Sequence, residues 1–525
     1  MSALIQPQFS WYPDVIAYNA KVFGKKAAVV CGSDRVSWAE FHRRTNKVAN
    51  ALLDHGLKKG DKVCLLMTNS VSMFELMWGT IKAGGITVPL NVMTGNESLP
   101  LVVNNSDARF LFADVATVHQ INPIRNQLEN VTAERLYAVD RAVAGWQSSE
   151  ALIDAASDAD SGVRIDMSDS MNIIYSSGST GVPKGIEHTH FARLAYTLGF
   201  GQGLLINRFA VTLCTTPLFT NGTWLSMLPT VYSGGTVALM SKFSATGFLE
   251  AVARDKCTHT FMVPTQAIVI LQCPTIDDYD VSPLKVLMLG SQMLPTTTAR
   301  RLRERFSGAG LYEVYGMTEC SLTLAIPGDV ACGKLGSVGL PLFGSEVCII
   351  DSDGKEAPCG EIGEIAGYTT MSMKGYYNDP KRTAEMVWQG PTGGTYLRSG
   401  DMGRIDGDGY LYIAGRIRDM IKSGGINVFA SDLEEVFTQH PEVVEAAAIA
   451  IPHEKWGETP LLLAIMRAGT ATTEDELMRW GNDRLGKFQR VSRVEYRSEF
   501  PRTGNNKVLK RALREPYWLG KGYAP

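Results

Sequence analysis

Short apolar strands alternate with helices along the first 150 residues. Apolar positions recur at helical spacing over residues 38–55, and a short apolar strand follows at 62–67. A second helix is predicted at 74–83, where two glycines stop it, and a strand resumes at 86–89. Strands separated by helices in this order usually lie parallel in a sheet that is covered by helices. The chain is therefore expected to have an α/β fold.

The next segment keeps this order and then becomes richer in strands. A strand at 173–175 runs into a Gly/Ser loop, and a buried strand at 286–289 ends at a glycine. Three further strands, joined by Asp/Gly turns, are predicted at 347–350, 363–366 and 410–413.

The pattern changes again after residue 418. A glycine loop at 423–425 leads into a predicted helix at 431–439. Two strands and a further helix follow, at 446–451, 460–466 and 473–484. A unit of about 100 residues is within the usual size of a domain. We therefore predict a compact α+β unit with a hinge near residue 418.

Charge and cysteine content disfavour several classes of function. The 51 Lys and Arg nearly balance the 54 Asp and Glu, and no block of like charge stands out, so nucleic acid is not an expected partner. The nine cysteines form no Cys-x-x-Cys pair and fit reduced thiols rather than a zinc or redox site. The N-terminus lacks the pattern of a signal peptide, and no apolar run is long enough to span a bilayer. We expect a soluble, cytoplasmic protein without a transmembrane segment.

The segment 175–185 is the most informative local sequence. It places three glycines, four Ser or Thr hydroxyls and Lys184 in a turn after a strand. Glycines let backbone N–H groups approach phosphate oxygens, and a lysine offsets their charge. The spacing is not that of a Walker A loop. A flexible Ser/Gly linker is the alternative, which the preceding strand and the closing Pro-Lys-Gly disfavour.

This segment resembles the phosphate motif of the adenylate-forming superfamily, which includes acyl- and aryl-CoA ligases, firefly luciferase and peptide-synthetase adenylation domains. The resemblance implies ATP contacts from Ser176, Ser177, Gly178, Ser179, Thr180, Gly181 and Lys184. It also implies catalytic roles for Thr180 and Lys184, and a place for Thr180 among the Mg²⁺ ligands.

Residues 315–319, Tyr-Gly-Met-Thr-Glu, resemble the adenine and magnesium motif of the superfamily. A tyrosine ring can stack on a purine, and a glutamate is a hard oxygen ligand suited to Mg²⁺. The resemblance implies a catalytic and metal-binding role for Glu319 and an α-phosphate contact for Thr318. The further nucleotide contacts that it implies are Gln292, Glu313, Val314, Tyr315, Gly316 and Met317. A helix-capping Thr-Glu pair is the alternative interpretation.

Three later motifs appear in the same order as in the superfamily. Asp401, in Ser-Gly-Asp where Thr-Gly-Asp is usual, is expected to accept hydrogen bonds from the ribose. Arg416 is expected to reach the ribose or phosphates, and Arg418 occupies the hinge position. Lys507 lies in 501–508, which resembles the catalytic lysine motif, although Asn506 replaces the usual glycine. Its ammonium is expected to stabilise charge on the attacking carboxylate and the α-phosphate. Surface lysine and turn aspartate are the alternatives for isolated residues of these types.

A glycine-rich loop resembles the one that lines the pantetheine tunnel of CoA ligases. Ser423, Gly424 and Gly425 are its expected CoA-binding residues. The following residues, 429–432, depart from the usual Tyr-Pro-x-Glu, so the thiolation surface is less clearly defined than the adenylation site.

The acid pocket is predicted from residues 217–224, which resemble the motif beside the carboxylate. Thr220 stands where many CoA ligases carry histidine, and no aspartate is present to hold a substrate ammonium. The pocket residues that we predict are Phe219, Thr220, Asn221, Trp224, Phe261, Met262, Val263, Ser291, Gln292, Met317 and Leu340. They are mostly apolar, which favours a hydrophobic acid, either aromatic or medium- to long-chain, over amino acids and dicarboxylates. The alternative is that several of them pack the core.

The fold expected from the resemblance has two parts. Residues 1–417 form a large N-terminal domain with two parallel-sheet α/β subdomains and a smaller β subdomain, and 418–525 form a mobile α+β lid. The expected activity is an AMP-forming acid–CoA ligase that uses ATP, Mg²⁺, a small carboxylic acid and coenzyme A. A carrier-protein loading enzyme, a luciferase-like oxygenase and a non-catalytic nucleotide-binding regulator are the alternatives, and a homodimer is left open.

Overall fold

The computed structural model describes residues 11–176, 184–390, 393–487, 489–502 and 507–519. The first described segment contains the helices α1 (Tyr12–Val22), α2 (Trp38–Asp54), α3 (Val71–Lys82), α4 (Leu99–Asn105), α5 (Val118–Ile121) and α6 (Ser149–Asp154). Its strands are β1 (Ala27–Cys31), β2 (Asp34–Ser37), β3 (Lys62–Leu66), β4 (Ile86–Pro89), β5 (Ala108–Asp114), β6 (Leu136–Val139), β7 (Gln147–Ser148) and β8 (Ser170–Ser176).

The central part of the chain repeats the alternation of strands and helices. Its strands are β9 (Lys184–Thr189), β10 (Val211–Cys214), β11 (Thr236–Leu239), β12 (His259–Met262), β13 (Val286–Gly290), β14 (Gly310–Met317), β15 (Cys320–Ala325) and β16 (Leu340–Pro341). Its helices are α7 (His190–Gly203), α8 (Asn221–Tyr232), α9 (Ala245–Asp255), α10 (Pro264–Leu271), α11 (Thr296–Arg305) and α12 (Pro327–Ala331).

The remaining residues form two smaller units. The first contains β17 (Ser345–Ile350), β18 (Gly363–Thr369), β20 (Val387–Gln389), β21 (Thr395–Ile405), β22 (Leu411–Arg416) and α13 (Pro380–Glu385). The same segment of the chain also contains β19 (Gly375–Tyr376), which pairs with β9. The second contains β23 (Ile421–Ser423), β24 (Ile426–Val428), β25 (Val443–His453), β26 (Gly457–Met466), β27 (Arg493–Tyr496), α14 (Ala430–Phe437), α15 (Glu474–Asn482) and α16 (Lys510–Trp518).

Two large sheets form the N-terminal part. One has nine strands in the order β16-β15-β14-β13-β12-β10-β11-β1-β2, and the other has eight in the order β19-β9-β8-β4-β3-β5-β6-β7. The central pairs of both sheets are parallel and the pairs at their ends include antiparallel ones, such as β14 with β15 and β8 with β9. This agrees with the predicted α/β class and its two parallel-sheet subdomains.

Sheet membership does not follow the order of the chain. β1 and β2, from the first segment, pair into the nine-stranded sheet, while β8 and β9, which precede and follow residues 177–183, pair into the eight-stranded sheet. The spacing of apolar residues identifies a strand but carries no information about its partner. The order of segments in the sequence therefore does not define the two subdomains.

The largest hydrophobic core lies between the two large sheets. It includes Trp38 and Phe41 of α2, Trp78 of α3, Tyr196 of α7 and Trp224 of α8, together with inward-facing residues of both sheets. Because these helices are covered on both sides, they are rich in fully buried aromatic side chains. The two sheets are thus held apart by a layer of shared helices.

Smaller antiparallel sheets complete the fold. Strands β17, β18, β20, β21 and β22 form one, and β23 to β27 form the other, with β27 parallel to β26. The second sheet is covered by α14 and α15 on a core of its own, as an α+β unit. The predicted boundary between residues 417 and 418 falls in the short turn Ile417–Asp419 that joins these two sheets. The division at that residue stays a prediction.

Helix ends differ from the predicted ones where a cap residue decides them. α3 begins at Val71 rather than 74, because the Ser70 hydroxyl accepts a hydrogen bond from the Met73 N–H at 3.1 Å. α15 begins after Thr473, which forms a capping box with Glu476. In the described part of the chain, no helix is long and apolar enough to cross a membrane.

Candidate active site

A cavity of about 120 Å³ lies where several parallel strands of the nine-stranded sheet end. The segments that follow β10, β12 and β13, together with the end of β14, all contribute side chains to it. The lining residues are Thr216, Pro217, Thr220, Asn221, Gly222, Leu225, Phe261, Val263, Gln266, Ser291, Val314, Gly316, Met317, Thr318, Ser321 and Lys507. The carboxyl ends of parallel strands are the usual place for a ligand in an α/β sheet.

Thr318 and Glu319 form the turn between the antiparallel strands β14 and β15. The helix-capping alternative for this pair is therefore wrong. The Tyr376 hydroxyl donates a hydrogen bond to Glu319 Oε1 at 2.5 Å, and the Met373 N–H donates to the Glu319 carbonyl at 2.7 Å. These contacts fix both the backbone and the carboxylate of Glu319.

Asp401 lies on β21 opposite Arg416 on β22. Its Oδ2 accepts a hydrogen bond from the Tyr315 hydroxyl at 3.0 Å, and its Oδ1 lies 3.2 Å from Arg416 Nε. Burial raises the pKa of Asp401, while the charge of Arg416 and the Tyr315 hydrogen bond oppose this rise. The predicted ribose acceptor is thus a largely buried carboxylate held by two residues of predicted nucleotide motifs.

Lys507 reaches the cavity from the C-terminal part of the chain. Burial and the charge of Arg416 lower its pKa to about 8, against the opposing effect of the carboxylates of Asp401 and Glu319. The lysine is therefore close enough to all three predicted site residues to be affected by their charges. Residues 503–506, which precede it, lie outside the described residues.

Lys184 begins β9, directly opposite Ser176 at the end of β8. Its ammonium lies 5.0 Å from the centre of the Tyr376 ring, whose hydroxyl contacts Glu319. Burial lowers the pKa of Lys184, and Glu319 opposes the shift. The intervening predicted residues Ser177, Gly178, Ser179, Thr180 and Gly181 lie outside the described residues.

Only some of the predicted adenine contacts line the cavity. Val314, Gly316 and Met317 line the cavity, whereas neither Glu313 nor Gln292 does. Burial raises the pKa of Glu313 to about 7, and the charge of Arg303 on α11 opposes the rise. Successive side chains of a strand point to opposite faces, so Glu313 is turned away from Val314.

Six of the residues predicted for the acid pocket line the cavity. They are Thr220, Asn221, Phe261, Val263, Ser291 and Met317. Thr220 does not present a free hydroxyl, because its Oγ1 donates to the Pro217 carbonyl at 2.8 Å and also contacts Thr223 Oγ1 at 2.9 Å.

Four other predicted pocket residues are absent from the cavity wall: Phe219, Trp224, Met262 and Leu340. Trp224 is fully buried and donates its indole N–H to the Leu218 carbonyl at 2.8 Å. Met262 packs in a core on the other face of β12 from Phe261. Leu340 lies on the edge strand β16 and is partly exposed. The apolar runs in the sequence do not distinguish a cavity-facing residue from one that faces the core.

None of the predicted CoA-binding residues lines this cavity. Ser423 ends β23, and Gly424 and Gly425 join this strand to β24. Gly424 has a φ of +60°, and a Cβ there would lie 2.7 Å from the Trp456 ring, so a glycine is required. The hinge candidate Arg418 lies in the turn before β23, and its carbonyl accepts a hydrogen bond from Arg514 at 3.2 Å.

Several polar groups at or beside the cavity, Thr216 and Gln266 among them, were not predicted from the sequence. Ser321 of β15 lines the cavity and donates to the Tyr196 hydroxyl at 3.3 Å. Arg193 of α7 is fully buried behind the cavity and donates to Asn221 Oδ1 at 2.8 Å. A charged residue inside an otherwise apolar helix was the available signal for Arg193, but the sequence did not show where the side chain lies.

Comparison with known proteins gives matches over nearly the whole chain. The model of the AMP-binding enzyme family matches residues 16–377, and that of the AMP-binding enzyme C-terminal domain matches 432–507. A feruloyl-CoA synthase from Amycolatopsis is 32% identical over 95% of this chain and 97% of its own. A long-chain-fatty-acid–CoA ligase from Mycobacterium tuberculosis is 28% identical over 92% and 93%. The crystal structure of an anthranilate CoA ligase in complex with anthranoyl-AMP superposes with a TM-score of 0.90, at 25% identity and full coverage of both chains.

Proposed function

Because this chain belongs to the AMP-binding family of adenylate-forming enzymes, we propose that it activates a single-ring aromatic carboxylic acid and transfers it to coenzyme A. The observation that carries the proposal is the position of Lys507. A lysine from the C-terminal part lies in the cavity beside Asp401 and Glu319, which come from two separate sheets of the N-terminal part. This is an arrangement suited to the first, adenylating half-reaction.

In that half-reaction a carboxylate oxygen of the acid attacks the α-phosphorus of ATP. A new P–O bond forms, the bond from the α-phosphorus to the bridging oxygen breaks, and pyrophosphate leaves with the bonding electron pair. The protein contributes positioning and charge stabilisation rather than covalent chemistry. Lys507 and Lys184 supply positive charge, Asp401 is the acceptor for the ribose, and Thr318 lies in the cavity to contact the α-phosphate.

The residues present fit a magnesium ion carried by ATP. Mg²⁺ uses one or two protein carboxylates together with water and phosphate oxygens, and Glu319 is an oxygen ligand already oriented by Tyr376. We propose Thr180 as the second protein ligand. When bound, the metal neutralises charge on the phosphates.

In the second half-reaction the sulfur of CoA attacks the acyl carbon. The C–S bond forms, the C–O bond to AMP breaks, and the thiol proton passes to solvent. This step requires Lys507 to leave, which we assign to rotation about Arg418. The same rotation would bring Ser423, Gly424 and Gly425 toward the acyl-adenylate as part of the CoA tunnel.

The size of the cavity favours a single ring over a long chain. A cavity of 120 Å³ is somewhat smaller than the roughly 150 Å³ that accepts benzene in an apolar protein core. An aromatic acid, as in the name of the feruloyl-CoA relative, therefore suits this pocket better than a long-chain fatty acid, as in the name of the other relative.

The test is ATP–pyrophosphate exchange with a panel of aromatic and aliphatic acids, followed by detection of thioester with CoA. We expect exchange and thioester formation to be fastest with single-ring acids. Exchange without thioester would overturn the CoA acceptor and favour a carrier protein. Absence of exchange with every acid would overturn the enzymatic proposal and favour a nucleotide-binding regulator. A long-chain acid as the best substrate would overturn the size argument.

A further inference from the structure

Arg193 is a fully buried cation behind the acid pocket. Its Nε donates to Asn172 Oδ1 and its Nη1 to Asn221 Oδ1, each at 2.8 Å. The guanidinium also lies between the rings of Tyr196 and Trp224, 4.8 Å from each ring centre. Arg193 thus joins the eight-stranded sheet, through Asn172, to the first turn of α8, through Asn221.

No carboxylate lies within 4 Å of Arg193 in the described residues, and its hydrogen-bond partners there are neutral. Burial lowers the pKa of Arg193 to about 10, so the group is still charged at neutral pH. A buried charge without an opposite charge costs several kcal/mol. A well-packed apolar residue would fill this position at lower cost, so the charge points to a role beyond packing.

The charge of Arg193 determines how Asn221 faces the cavity. A guanidinium has only hydrogen-bond donors, so the amide of Asn221 must turn its oxygen toward Arg193 and its NH₂ group away. One N–H of that group makes a long contact of 3.4 Å to the Tyr196 hydroxyl. Asn221 itself lines the cavity, so we infer that the other N–H of its amide is available to an acid in the cavity.

Ser321 extends the same polar wall. It also lines the cavity, and its hydroxyl contacts the Tyr196 hydroxyl at 3.3 Å. The Tyr196 hydroxyl, which does not line the cavity, accepts from both Ser321 and Asn221, while Asn221 Oδ1 accepts from the guanidinium. Of these groups, the amide NH₂ of Asn221 is therefore the donor that remains for a bound ligand, close to a positive charge.

We propose that this wall is a subsite for an oxygen acceptor on the ring of the acid, with Asn221 as the specificity-determining donor and Arg193 as the residue that positions it. The inference rests on the proposed function and narrows it to ring-oxygenated aromatic acids.

The test compares pairs of single-ring acids that differ only by an oxygen substituent or a methyl group at the same ring position. The readout is the ratio of their kcat/KM values in ATP–pyrophosphate exchange. For the unmodified enzyme we expect at least one ring position at which the oxygenated acid is preferred by roughly tenfold or more, since a buried donor left unpaired disfavours the methyl acid.

Asn221→Asp separates recognition from structure. The carboxylate would still accept from Arg193, and as an ion pair it should leave the thermal stability unchanged or higher. The carboxylate has no N–H, so the ratio of kcat/KM for the oxygenated acid to that for the methyl acid should fall about tenfold, to near one. Asn172→Asp is the matched control, because it also places a carboxylate against Arg193, whereas residue 172 does not line the cavity. In this variant, the preference for the oxygenated acid over the methyl acid should stay within about twofold of the preference in the unmodified enzyme.

The outcomes distinguish this inference from the proposed function. If the unmodified enzyme activates both acids of every pair equally, the subsite is wrong and the acid-activating function stands. If Asn221→Asp keeps the preference, Asn221 is not the donor and the inference fails. If no aromatic acid supports exchange, the proposed function itself fails.

Discussion

The Tyr315 hydroxyl donates a hydrogen bond to Asp401 at 3.0 Å, across the boundary between the nine-stranded sheet and the β17–β22 sheet. The two residues are 86 positions apart in the chain and belong to different predicted motifs, for adenine and for ribose. The contact therefore fixes the two parts of the nucleotide site relative to each other before ATP arrives.

Removing this contact should weaken ATP binding without affecting the acid. Tyr315→Phe loses one hydrogen bond to a buried carboxylate, at about 1.5–3 kcal/mol for a charged acceptor, so the KM for ATP should rise roughly tenfold or more. Asp401→Ala should have a larger effect, because it also removes the ribose acceptor. The measurement is ATP–pyrophosphate exchange at varied ATP. An unchanged ATP KM in Asp401→Ala would contradict the ribose role.

Lys507→Ala should impair only the first half-reaction. The loss of a charge that stabilises the transition state typically costs a factor on the order of 10² or more. Adenylation is measured as pyrophosphate exchange, and thioester formation is measured with synthetic acyl-AMP and CoA. Lys487→Ala is the control, since Lys487 is an exposed lysine of the same C-terminal part. Equal losses in both half-reactions would show that Lys507 is not specific to adenylation.

The pH dependence of adenylation should reflect the ionisation of Lys507. Burial and Arg416 lower the pKa of Lys507 to about 8, so its positive charge is lost as the pH rises through that value. The kcat/KM for ATP, which reflects ionisations of the free enzyme, should therefore decline above about pH 8. Arg416→Gln removes a neighbouring positive charge and should move the decline to higher pH. A decline that stays in place in this variant would assign it to another group.

Glu319→Gln should raise the Mg²⁺ concentration needed for adenylation. The amide keeps the shape of the side chain but removes the negative charge that attracts the metal. Tyr376→Phe should have a smaller effect in the same direction, because it removes only the hydrogen bond that orients the carboxylate. Adenylation rates over a Mg²⁺ titration test both variants. Identical titration curves for Glu319→Gln and the unmodified enzyme would exclude Glu319 as a ligand.

The structure brings together residues of the predicted nucleotide motifs more closely than it brings together those of the predicted acid pocket. Asp401, Glu319 and Lys507 lie in short motifs whose polar residues have few other reasons to occur together, and the structure brings the three close to one another. The acid pocket is built from apolar segments, in which cavity-facing and core-facing residues have the same composition. Trp224 and Met262 were assigned to the pocket for that reason, although both pack in cores.

Contacts between distant segments of the chain were the second kind of feature that the sequence did not predict. The α/β class and most elements follow from periodicity and glycine positions, which are local. Two features depend on which segments meet in space. They are the pairing of β8 and β9 into the eight-stranded sheet and the approach of Arg193 to Asn221. Neither leaves a periodic signal in the sequence.

The acid pocket should be sensitive to any group added at Gly222. A Cβ at this position would lie 2.3 Å from Cε1 of the Phe261 ring, so Gly222→Ala must displace that ring, and Phe261 lines the cavity. A displacement into the cavity reduces the space for the acid. We therefore expect kcat/KM for aromatic acids to fall by about tenfold or more, since overpacking costs about 1–3 kcal/mol, while short aliphatic acids lose less.

Gly328→Ala is the matched control for this substitution, because Gly328 is also helical and a Cβ there meets no atom within 4 Å. Phe261→Leu should act in the opposite direction and improve the relative rate with larger acids. Both variants are measured with the same acids in pyrophosphate exchange, with the ATP KM as the internal reference. If Gly222→Ala lowers the rates with aromatic and short acids equally, the ring of Phe261 does not limit the acid pocket.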